Sequence, residues 1–202
     1  MPTLIEVYAD IACPFTHIGL RRFVEQRHAT GRDDLKVRVR PWPLEWVNGK
    51  PLEPLFIEEE VNEIRPQVAA DLFTNFDAAR FPSSSLAAHA LVEAAYDSSL
   101  DVGEQISLEL RDLLFEQGTD VSDPTVLAEL GHRHGVTADA DLTRVRDAYE
   151  HGVQRGVQGS PHFFIGDADF FCPGLRISRD DEDHLQVAPD HDAFDRFMAA
   201  AL

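Results

Sequence analysis

The order of apolar and polar positions divides the first forty residues into a strand, a helix and a second strand. Residues 4–8 form a short β-branched and aromatic run, which is typical of a strand. Apolar Leu20, Phe23 and Val24 then recur among polar residues at helical spacing. Residues 36–40 alternate charged and apolar side chains and predict a half-exposed strand. Two parallel strands joined by a helix form a right-handed βαβ unit, which we expect here.

Helical patterns dominate the middle of the chain, and strand signals are nearly absent between residues 57 and 155. A Pro-rich loop over residues 45–56 precedes this block. Serine, aspartate, proline and glycine at suitable positions mark several helix ends. The predicted helices cover residues 58–70 (interrupted at Pro66), 84–96, 104–117, 122–135 and 140–154. This block is consistent with an inserted subdomain.

Strand patterns return near the end of the chain. Residues 162–165 and 170–172 are two apolar runs separated by a short glycine-containing turn, which predicts a hairpin. Residues 180–195 hold seven acidic side chains and are interpreted as a solvated loop that leads to a last helix over 192–202. The predicted order is therefore βαβ, a helical block, and ββα.

Charge and cysteine content limit the classes of function. The formal net charge of −18 disfavours nucleic-acid backbones and anionic membranes, so we expect neither as a partner. No signal-peptide pattern and no apolar run of membrane-spanning length are seen. Two cysteines do not make a disulfide framework. We expect a cytoplasmic protein, where thiols stay reduced and a cysteine is more often catalytic than structural.

Cys13 lies where the first strand ends and the first helix begins, and Pro14 follows it. Proline is favoured at the first helical position because its missing N–H would be unpaired there. The first-turn N–H groups and the positive end of the helix dipole favour a thiolate over a thiol. We therefore expect a reactive cysteine, against the alternative of a small buried apolar residue.

The segment Cys13-Pro14-Phe15-Thr16-His17-Ile18-Gly19 resembles the thioredoxin superfamily, and within it the DsbA-like oxidoreductases of the FrnE type. Their motif reads Cys-Pro-Trp-Cys, followed by an aromatic residue, Ile and Gly. Segments 118–123 and 156–161 resemble the corresponding parts of the same proteins. The departure is Thr16, which replaces the second cysteine and makes dithiol exchange within the motif impossible.

The resemblance implies an α/β thioredoxin fold with a helical insertion. It assigns residues 1–56 and 156–202 to a thioredoxin-like domain and residues 57–155 to a helical insertion subdomain. It also implies that Pro161 follows a cis peptide bond and faces Cys13, with the alternative of an ordinary turn proline. In that arrangement the backbone of Ser160 is extended and available to a substrate strand or a small thiol.

Other residues near the motif are candidate contacts. The Thr16 hydroxyl could donate a hydrogen bond to the Cys13 thiolate, or Thr16 is a plain first-turn residue. Cys172, after the last hairpin strand, is either a displaced resolving cysteine or a buried one, and resolution requires Cα atoms within about 7 Å. Pro14 and Phe15 adjoin Cys13 and are expected to contact substrate.

Two histidines are predicted to flank the same site. His17 or His162 could act as a base or steer an anionic substrate. Cys13, Cys172 and these histidines are suitable zinc ligands, but their spacing matches no metal motif, so no metal is predicted.

The leading hypothesis is a thiol-dependent oxidoreductase of monothiol type, acting on small-molecule or protein disulfides. No tightly bound cofactor is expected, and a low-molecular-weight thiol would complete the cycle as co-substrate. The alternative resemblance is to 2-hydroxychromene-2-carboxylate isomerases and kappa glutathione transferases, which usually carry serine where Cys13 stands. A non-catalytic binding module on a degenerate redox fold is a third hypothesis. A homodimer through the helical block is left open.

Overall fold

A mixed four-stranded sheet organises the protein in a computed structural model that describes residues 4–32, 34–137, 141–182 and 184–201. The strand order is β2-β1-β3-β4, with β1 parallel to β2 and antiparallel to β3. A separate two-stranded antiparallel sheet pairs β5 with β6. The strands are β1 Leu4–Ala9, β2 Lys36–Pro41, β3 His162–Ile165, β4 Ala168–Phe171, β5 Leu175–Arg179 and β6 Leu185–Pro189.

Helix α1 joins the parallel strands, and five helices lie between α2 and the return of the chain to the sheet at β3. The helices are α1 Pro14–Ala29, α2 Leu44–Asn48, α3 Pro54–Val68, α4 Leu86–Ser98, α5 Leu100–Phe115, α6 Pro124–Arg133, α7 Thr143–Arg155 and α8 His191–Ala201, with a 3₁₀ turn at Ala78–Arg80. This confirms the predicted thioredoxin fold with helices inserted between βαβ and ββα. None of the helices in the described ranges is long and apolar enough to span a membrane.

The register of the sheet brings two segments that are distant in sequence to one end of the strands. Tyr8 near the end of β1 pairs with His162 at the start of β3. Because these strands are antiparallel, the residues after β1 and the residues before β3 lie at the same end of the sheet. Cys13 and the Ser160–Pro161 dipeptide lie at that end of the sheet.

Two apolar clusters pack near this end of the sheet. One packs the sheet against α1 and α8, with Val7, Phe23 and Phe197 among its buried members. The larger cluster fills the helical block and includes Ile11 and Ile18 from the neighbourhood of Cys13. The loop that carries Cys13 is thus anchored by apolar packing in the helical block.

Side chains of the helical block satisfy the outer edge of β2. The backbone N–H of Val37 donates to Glu104 Oε2 at 3.0 Å, and the N–H of Val39 donates to the Tyr96 hydroxyl at 2.7 Å. The Tyr96 hydroxyl in turn donates to the carbonyl of Val37 at 3.2 Å. Helices α4 and α5 therefore hold the strand that neighbours β1.

Two predicted loops contain regular structure, so those predictions were wrong. The segment 45–56 is mostly helical, because α2 spans Leu44–Asn48 and α3 begins at Pro54, ahead of the predicted domain boundary at 57. The acidic segment 180–195 contains β6, which pairs with β5 and packs through Leu185 and Val187 on the helical core. The Gln67 side chain joins this hairpin to α3: its Nε2 donates to the Leu185 carbonyl at 3.2 Å, and its Oε1 accepts from the Val187 N–H at 2.8 Å.

The remaining helix predictions differ from the structure only near their ends. Helix α3 passes through Pro66 and ends at Val68, because a proline in the last turn removes only one late backbone bond. Asp123 caps α6 and accepts from the Thr125 N–H, as the Ser-Asp-Pro pattern predicts. The predicted helix limits Ala140 and Leu202, and Asp183 of the acidic segment, lie outside the described residues.

Candidate active site

Cys13 occupies the residue immediately before α1. Its backbone is extended (φ −88°, ψ 117°), and Pro14 takes the first helical position, as the local sequence predicts. The Cys13 residue is only 3% exposed. Its thiol donates to the carbonyl oxygen of Ser160, with Sγ and O 3.2 Å apart. The Ser160–Pro161 peptide bond is cis. The structure thus brings together Cys13, Ser160 and Pro161, which are far apart in sequence.

A chain of hydroxyl groups runs beside the cysteine. The Ser160 hydroxyl oxygen accepts from the Asp10 N–H at 2.9 Å and lies 2.8 Å from the Thr16 hydroxyl oxygen. Thr16 is fully buried. The carbonyl and hydroxyl of Ser160 are therefore both engaged within the site, whereas the resemblance implies a Ser160 backbone that is available to a substrate.

Burial and hydrogen bonding act on the Cys13 thiol in opposite directions. Burial raises the pKa of Cys13, while hydrogen bonds from the Ser160 side chain, the Thr16 side chain and the Thr16 N–H lower it in part. The negative charge of Glu60 on α3 raises the pKa further. The net direction is upward because burial outweighs these hydrogen bonds, which differs from the stabilised thiolate that the helix N-terminus predicts.

Asp10 fixes the turn that carries Cys13, and sequence reasoning missed it. Its buried carboxylate accepts from the Ala12 N–H at 2.9 Å through Oδ1 and from the Leu44 N–H at 2.6 Å through Oδ2. Burial opposes ionisation, but the His89 side chain and these two N–H groups lower the pKa of Asp10 overall. An aspartate that accepts a hydrogen bond from the N–H two residues later is a local turn signal that the sequence carries.

Arg111 is a second residue that the sequence did not reveal. Its side chain is fully buried. The guanidinium donates to the Ser107 carbonyl at 2.8 Å and to the Asp10 carbonyl at 3.1 Å. Burial lowers the pKa of Arg111 to about 10, while the negative charges of Asp10 and of ionised Cys13 raise it. A positive charge therefore lies within electrostatic reach of Cys13.

His17 does not serve the site as predicted. Its Nε2 lies 2.7 Å from Glu116 Oε1, and its ring packs on Phe73 and Phe115. Glu116 also accepts from the N–H groups of Phe73 and Thr74. Burial opposes ionisation of Glu116, but these hydrogen bonds lower its pKa to about 2. His17 therefore ties α1 to the helical block, and its described contacts do not include Cys13.

His162 is also held by structural contacts. Its Nδ1 accepts from the Gln158 N–H at 3.1 Å, and its Nε2 lies 3.0 Å from Asp169 Oδ1 on the paired strand. The ring packs on Phe164 and Phe171. Both ring nitrogens are engaged, so the structure gives His162 no free nitrogen for a base.

Cys172 lies across the hairpin from Pro161. Its N–H donates to the Pro161 carbonyl at 2.9 Å, which extends the β3–β4 ladder by one bond beyond the His162–Phe171 pair. Cys172 is 6% exposed and adopts a left-handed backbone, with φ +44°. Burial, with the charge of Cys13 added, raises the pKa of Cys172 to about 12. Both cysteines are free thiols.

An apolar groove starts beside the proline. Gly19 faces Pro161, since a Cβ built on this glycine would lie 3.7 Å from Pro161 Cγ. The groove has a volume of about 380 Å³. It is lined by Ile18, Gly19, Val68, Gly174, Leu175 and Phe194 among others. Phe15, a predicted substrate contact, is half-buried and packs instead on the core of the helical block.

Metal ligands are not clustered within the described ranges: no three His, Cys, Asp or Glu side chains converge there. The two predicted histidines are engaged by carboxylates, as described above.

Residues 4–186 match the family model of the DSBA-like thioredoxin domain. No curated protein gives a significant match to the sequence. Among solved structures, the cytosolic disulfide reductase DsbM from Pseudomonas aeruginosa aligns with a TM-score of 0.63 and 16% identity, over 97% of each chain. The same protein is also solved with glutathione.

Two further structures share the fold. A protein from Nitrosomonas europaea, provisionally assigned as a protein disulfide isomerase, aligns with a TM-score of 0.66 and 13% identity, over 98% of this chain and 97% of its own. A 2-hydroxychromene-2-carboxylate isomerase aligns with a TM-score of 0.59 and 14% identity, over 83% of this chain and 88% of its own. At these identities the likeness is one of fold.

Proposed function

Because this chain belongs to the DSBA-like thioredoxin domain family, we propose that it is a thiol-dependent oxidoreductase whose nucleophile is Cys13. The observation that carries the proposal is the position of the Cys13 sulfur, at a helix N-terminus and 3.2 Å from the carbonyl next to Pro161. Thr16 replaces a second motif cysteine, so the motif itself is of monothiol type.

The reaction begins with loss of the Cys13 proton. In the resting thiol that proton points at the Ser160 carbonyl. Once it leaves, the Ser160 and Thr16 hydroxyls can both donate to the thiolate sulfur, and this lowers the free energy of the reactive form. Thr16 thereby acts as a hydrogen-bond donor at the position where the family motif has a cysteine.

The exchange then proceeds in two balanced steps. The Cys13 thiolate attacks one sulfur of a disulfide R–S–S–R, which forms a mixed disulfide on Cys13 and releases one thiolate R–S⁻. A thiolate R′–S⁻ from outside the motif attacks the R sulfur of this mixed disulfide, which forms R–S–S–R′ and releases Cys13 as the thiolate. We propose a low-molecular-weight thiol as co-substrate and no tightly bound cofactor.

The substrate is a small-molecule or protein disulfide, and the apolar groove is the candidate surface for the part of it next to the disulfide. The groove begins at Gly19 beside Pro161, and it is lined mainly by apolar side chains. Its shape fits the apolar part of a disulfide or an extended peptide flanking one. The net charge of −18 argues against nucleic acid and anionic membrane as partners. Self-association into a homodimer has no support beyond the sequence.

We place the reaction in the cytoplasm, which is consistent with the fold shared with a cytosolic disulfide reductase. We also propose the division into a thioredoxin-like domain, residues 1–56 and 156–202, and a helical insertion over 57–155. The boundary at 156 agrees with the end of α7 at Arg155.

A glutathione-dependent isomerase or transferase is the second candidate. The observation in its favour is the fold shared with a 2-hydroxychromene-2-carboxylate isomerase, together with the loss of the second motif cysteine. In that reaction the bound thiol is the reactive group, so a serine in place of Cys13 would be tolerated. The two candidates therefore respond differently to the same substitution.

Steady-state reduction of bis(2-hydroxyethyl) disulfide by glutathione tests the proposal. We expect Cys13→Ser to reduce turnover by about 100-fold or more, since removal of a nucleophile abolishes the covalent route. Isomerisation of 2-hydroxychromene-2-carboxylate is measured on the same two proteins. Equal disulfide turnover by both would contradict the proposal, and isomerisation retained by Cys13→Ser would favour the isomerase. Absence of both activities from the wild type would favour a binding module.

A further inference from the structure

Both cysteines contact the same dipeptide. The Cys13 thiol donates to the carbonyl of Ser160, and the Cys172 N–H donates to the carbonyl of Pro161. The β3–β4 register continues by one bond past the His162–Phe171 pair, so Cys172 lies opposite Pro161. Opposed residues in an antiparallel pair have Cα atoms about 4.5–5.5 Å apart. Cys13 and Cys172 therefore hydrogen-bond to neighbouring carbonyl groups of one dipeptide.

The Cys172 side chain points into the protein rather than away from it. Phe171, one residue earlier, is 49% exposed, whereas Cys172 is 6% exposed. Cys172 follows the last residue of β4, and its low exposure shows that protein atoms cover its side chain. The charge of ionised Cys13 also raises the pKa of Cys172, which is consistent with two sulfurs in one environment.

The backbone of Cys172 is the second unusual feature. Its φ of +44° lies in the left-handed region, which a residue with a Cβ adopts only at an energetic penalty. Cys172 is followed by Pro173 and Gly174, and Gly174 also has a positive φ. The turn closes with the Leu175 N–H donating to the Cys172 carbonyl at 3.3 Å. The chain leaves β4 by a sharp turn that holds a thiol at the edge of the site.

We propose that Cys172 is the resolving cysteine of this protein and forms a disulfide with Cys13. The inference rests on the proposed function, because it needs a mixed disulfide on Cys13 as its starting point. It places the second thiol of the reaction on the cis-proline hairpin instead of three residues after the nucleophile. A disulfide requires Cα atoms about 4.4–6.8 Å apart, so the proposal requires the turn after β4 to bring Cys172 within this range of Cys13.

The step is balanced as an ordinary thiol–disulfide exchange. Cys13 carries R–S from the first attack on R–S–S–R, and the first R–S⁻ has left. Cys172 loses its proton to solvent, and its sulfur attacks the Cys13 sulfur. The Cys13–Cys172 bond forms, the bond to R breaks, and a second R–S⁻ leaves. The substrate disulfide is reduced to two thiols, the protein is oxidised by two electrons, and an external dithiol or two monothiols restore both cysteines.

The test is a single turnover of the reduced full-length protein with excess bis(2-hydroxyethyl) disulfide, without added thiol. We expect the wild type to release two thiols per chain, and mass spectrometry of the digest to join the Cys13 and Cys172 peptides. Cys172→Ser should release one thiol and retain the mixed disulfide on Cys13. Its decay should be slower by on the order of 100-fold, since an intramolecular thiol acts at a millimolar or higher effective concentration.

The outcomes separate this inference from the proposed function. A wild type that retains the mixed disulfide as long as Cys172→Ser does would overturn the role of Cys172 and leave the nucleophile intact. A wild type in which Cys13 forms neither the mixed disulfide nor the bond to Cys172 would contradict the proposed function itself. The peptide map is read on the wild type alone, so the inference stays testable even if Cys172→Ser folds poorly. Cys172→Ala serves as a second variant without a hydroxyl.

Discussion

Cys13 and Cys172 are equally buried thiols in different chemical surroundings. Cys13 stands at the start of α1, with hydrogen-bond donors on three sides from Thr16 and Ser160. Cys172 ends a hairpin, and burial together with the charge of Cys13 accounts for its pKa of about 12. Among the described residues, no hydrogen bond to the Cys172 sulfur is found that would favour its thiolate.

The two thiols, the proposed nucleophile and the proposed resolving cysteine, thus differ in hydrogen bonding rather than in exposure. Both residues are less than a tenth exposed, so access alone does not select which one reacts first. Donors to a thiolate lower its free energy, and a buried thiol without donors stays protonated. Cys13 is therefore set up to react first, and Cys172 to react only when a disulfide has formed next to it.

We expect the largest effect in the free energy of unfolding at alkaline pH, where wild type is compared with a variant that lacks the Cys172 thiol. A thiol in the unfolded chain ionises near pH 8.5, while the raised pKa of Cys172 keeps it protonated in the folded protein. Above about pH 8.5 the unfolded state thus gains stability, and the free energy of unfolding falls as pH rises. We expect wild type to lose about 2 kcal/mol more than Cys172→Ala between about pH 7 and about pH 10.

Urea unfolding over this pH range measures that loss, with reductant present to keep thiols free. Cys13→Ala is the matched variant. Wild type should also lose more unfolding free energy than this variant as pH rises, because the pKa of Cys13 is also raised. Parallel pH dependence in wild type and Cys172→Ala would show that Cys172 is not protonated as described.

The next effect should appear in alkylation rates when one donor is removed. Thr16→Val keeps the shape of this buried side chain and removes its hydroxyl. A hydrogen bond to a charged group contributes about 1.5–3 kcal/mol, and part of the loss is offset because a more basic thiolate is more nucleophilic. We expect alkylation of Cys13 by iodoacetamide to slow about tenfold at neutral pH.

Cys172, followed in the same digest, should be alkylated at an unchanged rate. Thr16→Ser should restore the alkylation rate of Cys13. A Cys13 rate that Thr16→Val does not alter would show that the hydroxyl does not reach the thiolate, and the comparison between the two thiols would lose its basis.

The smallest effect should come from loosening the hairpin that follows Cys172. Gln67→Leu removes both hydrogen bonds between α3 and β6 and leaves the Val187 N–H without its acceptor. A lost hydrogen bond contributes about 0.5–1.5 kcal/mol. The population in which the β5–β6 hairpin is open should therefore increase about threefold. We expect alkylation of Cys172 to rise by this factor and that of Cys13 to stay constant.

Gln67→Glu is the control, because it keeps the acceptor for Val187 and loses only the donor. An equal rise at both cysteines would mean that the hairpin covers the two thiols together, which removes the distinction between them.

The strand–Cys13–Pro14 junction and the 162–171 hairpin were predictable because their signals are local. Proline at the first helical position and two apolar runs around a glycine turn need no knowledge of the rest of the chain. The family match to residues 4–186 and the shared fold confirm the thioredoxin prediction that began from these segments.

The surroundings of the Cys13 sulfur were not predictable in the same way. The Ser160 hydroxyl meets Asp10 and Thr16 across separations of 150 and 144 residues, so only the folded sheet reveals the contact. The direction of the Cys13 pKa shift depends on burial, which a local pattern does not encode. The β5–β6 hairpin did carry a signal, the alternation of Leu185, Gln186 and Val187, but the acidic residues around it favoured a loop.

Side chains of the helical block cover one edge of the sheet, along β2. Glu104 and Tyr96 occupy the outward N–H groups of Val37 and Val39, and so take the place of a further strand. An open strand edge is a template for polymerisation and strand exchange, and here side chains from the helices close it. The inserted helices thus also protect the β2 edge of the sheet against edge-to-edge aggregation.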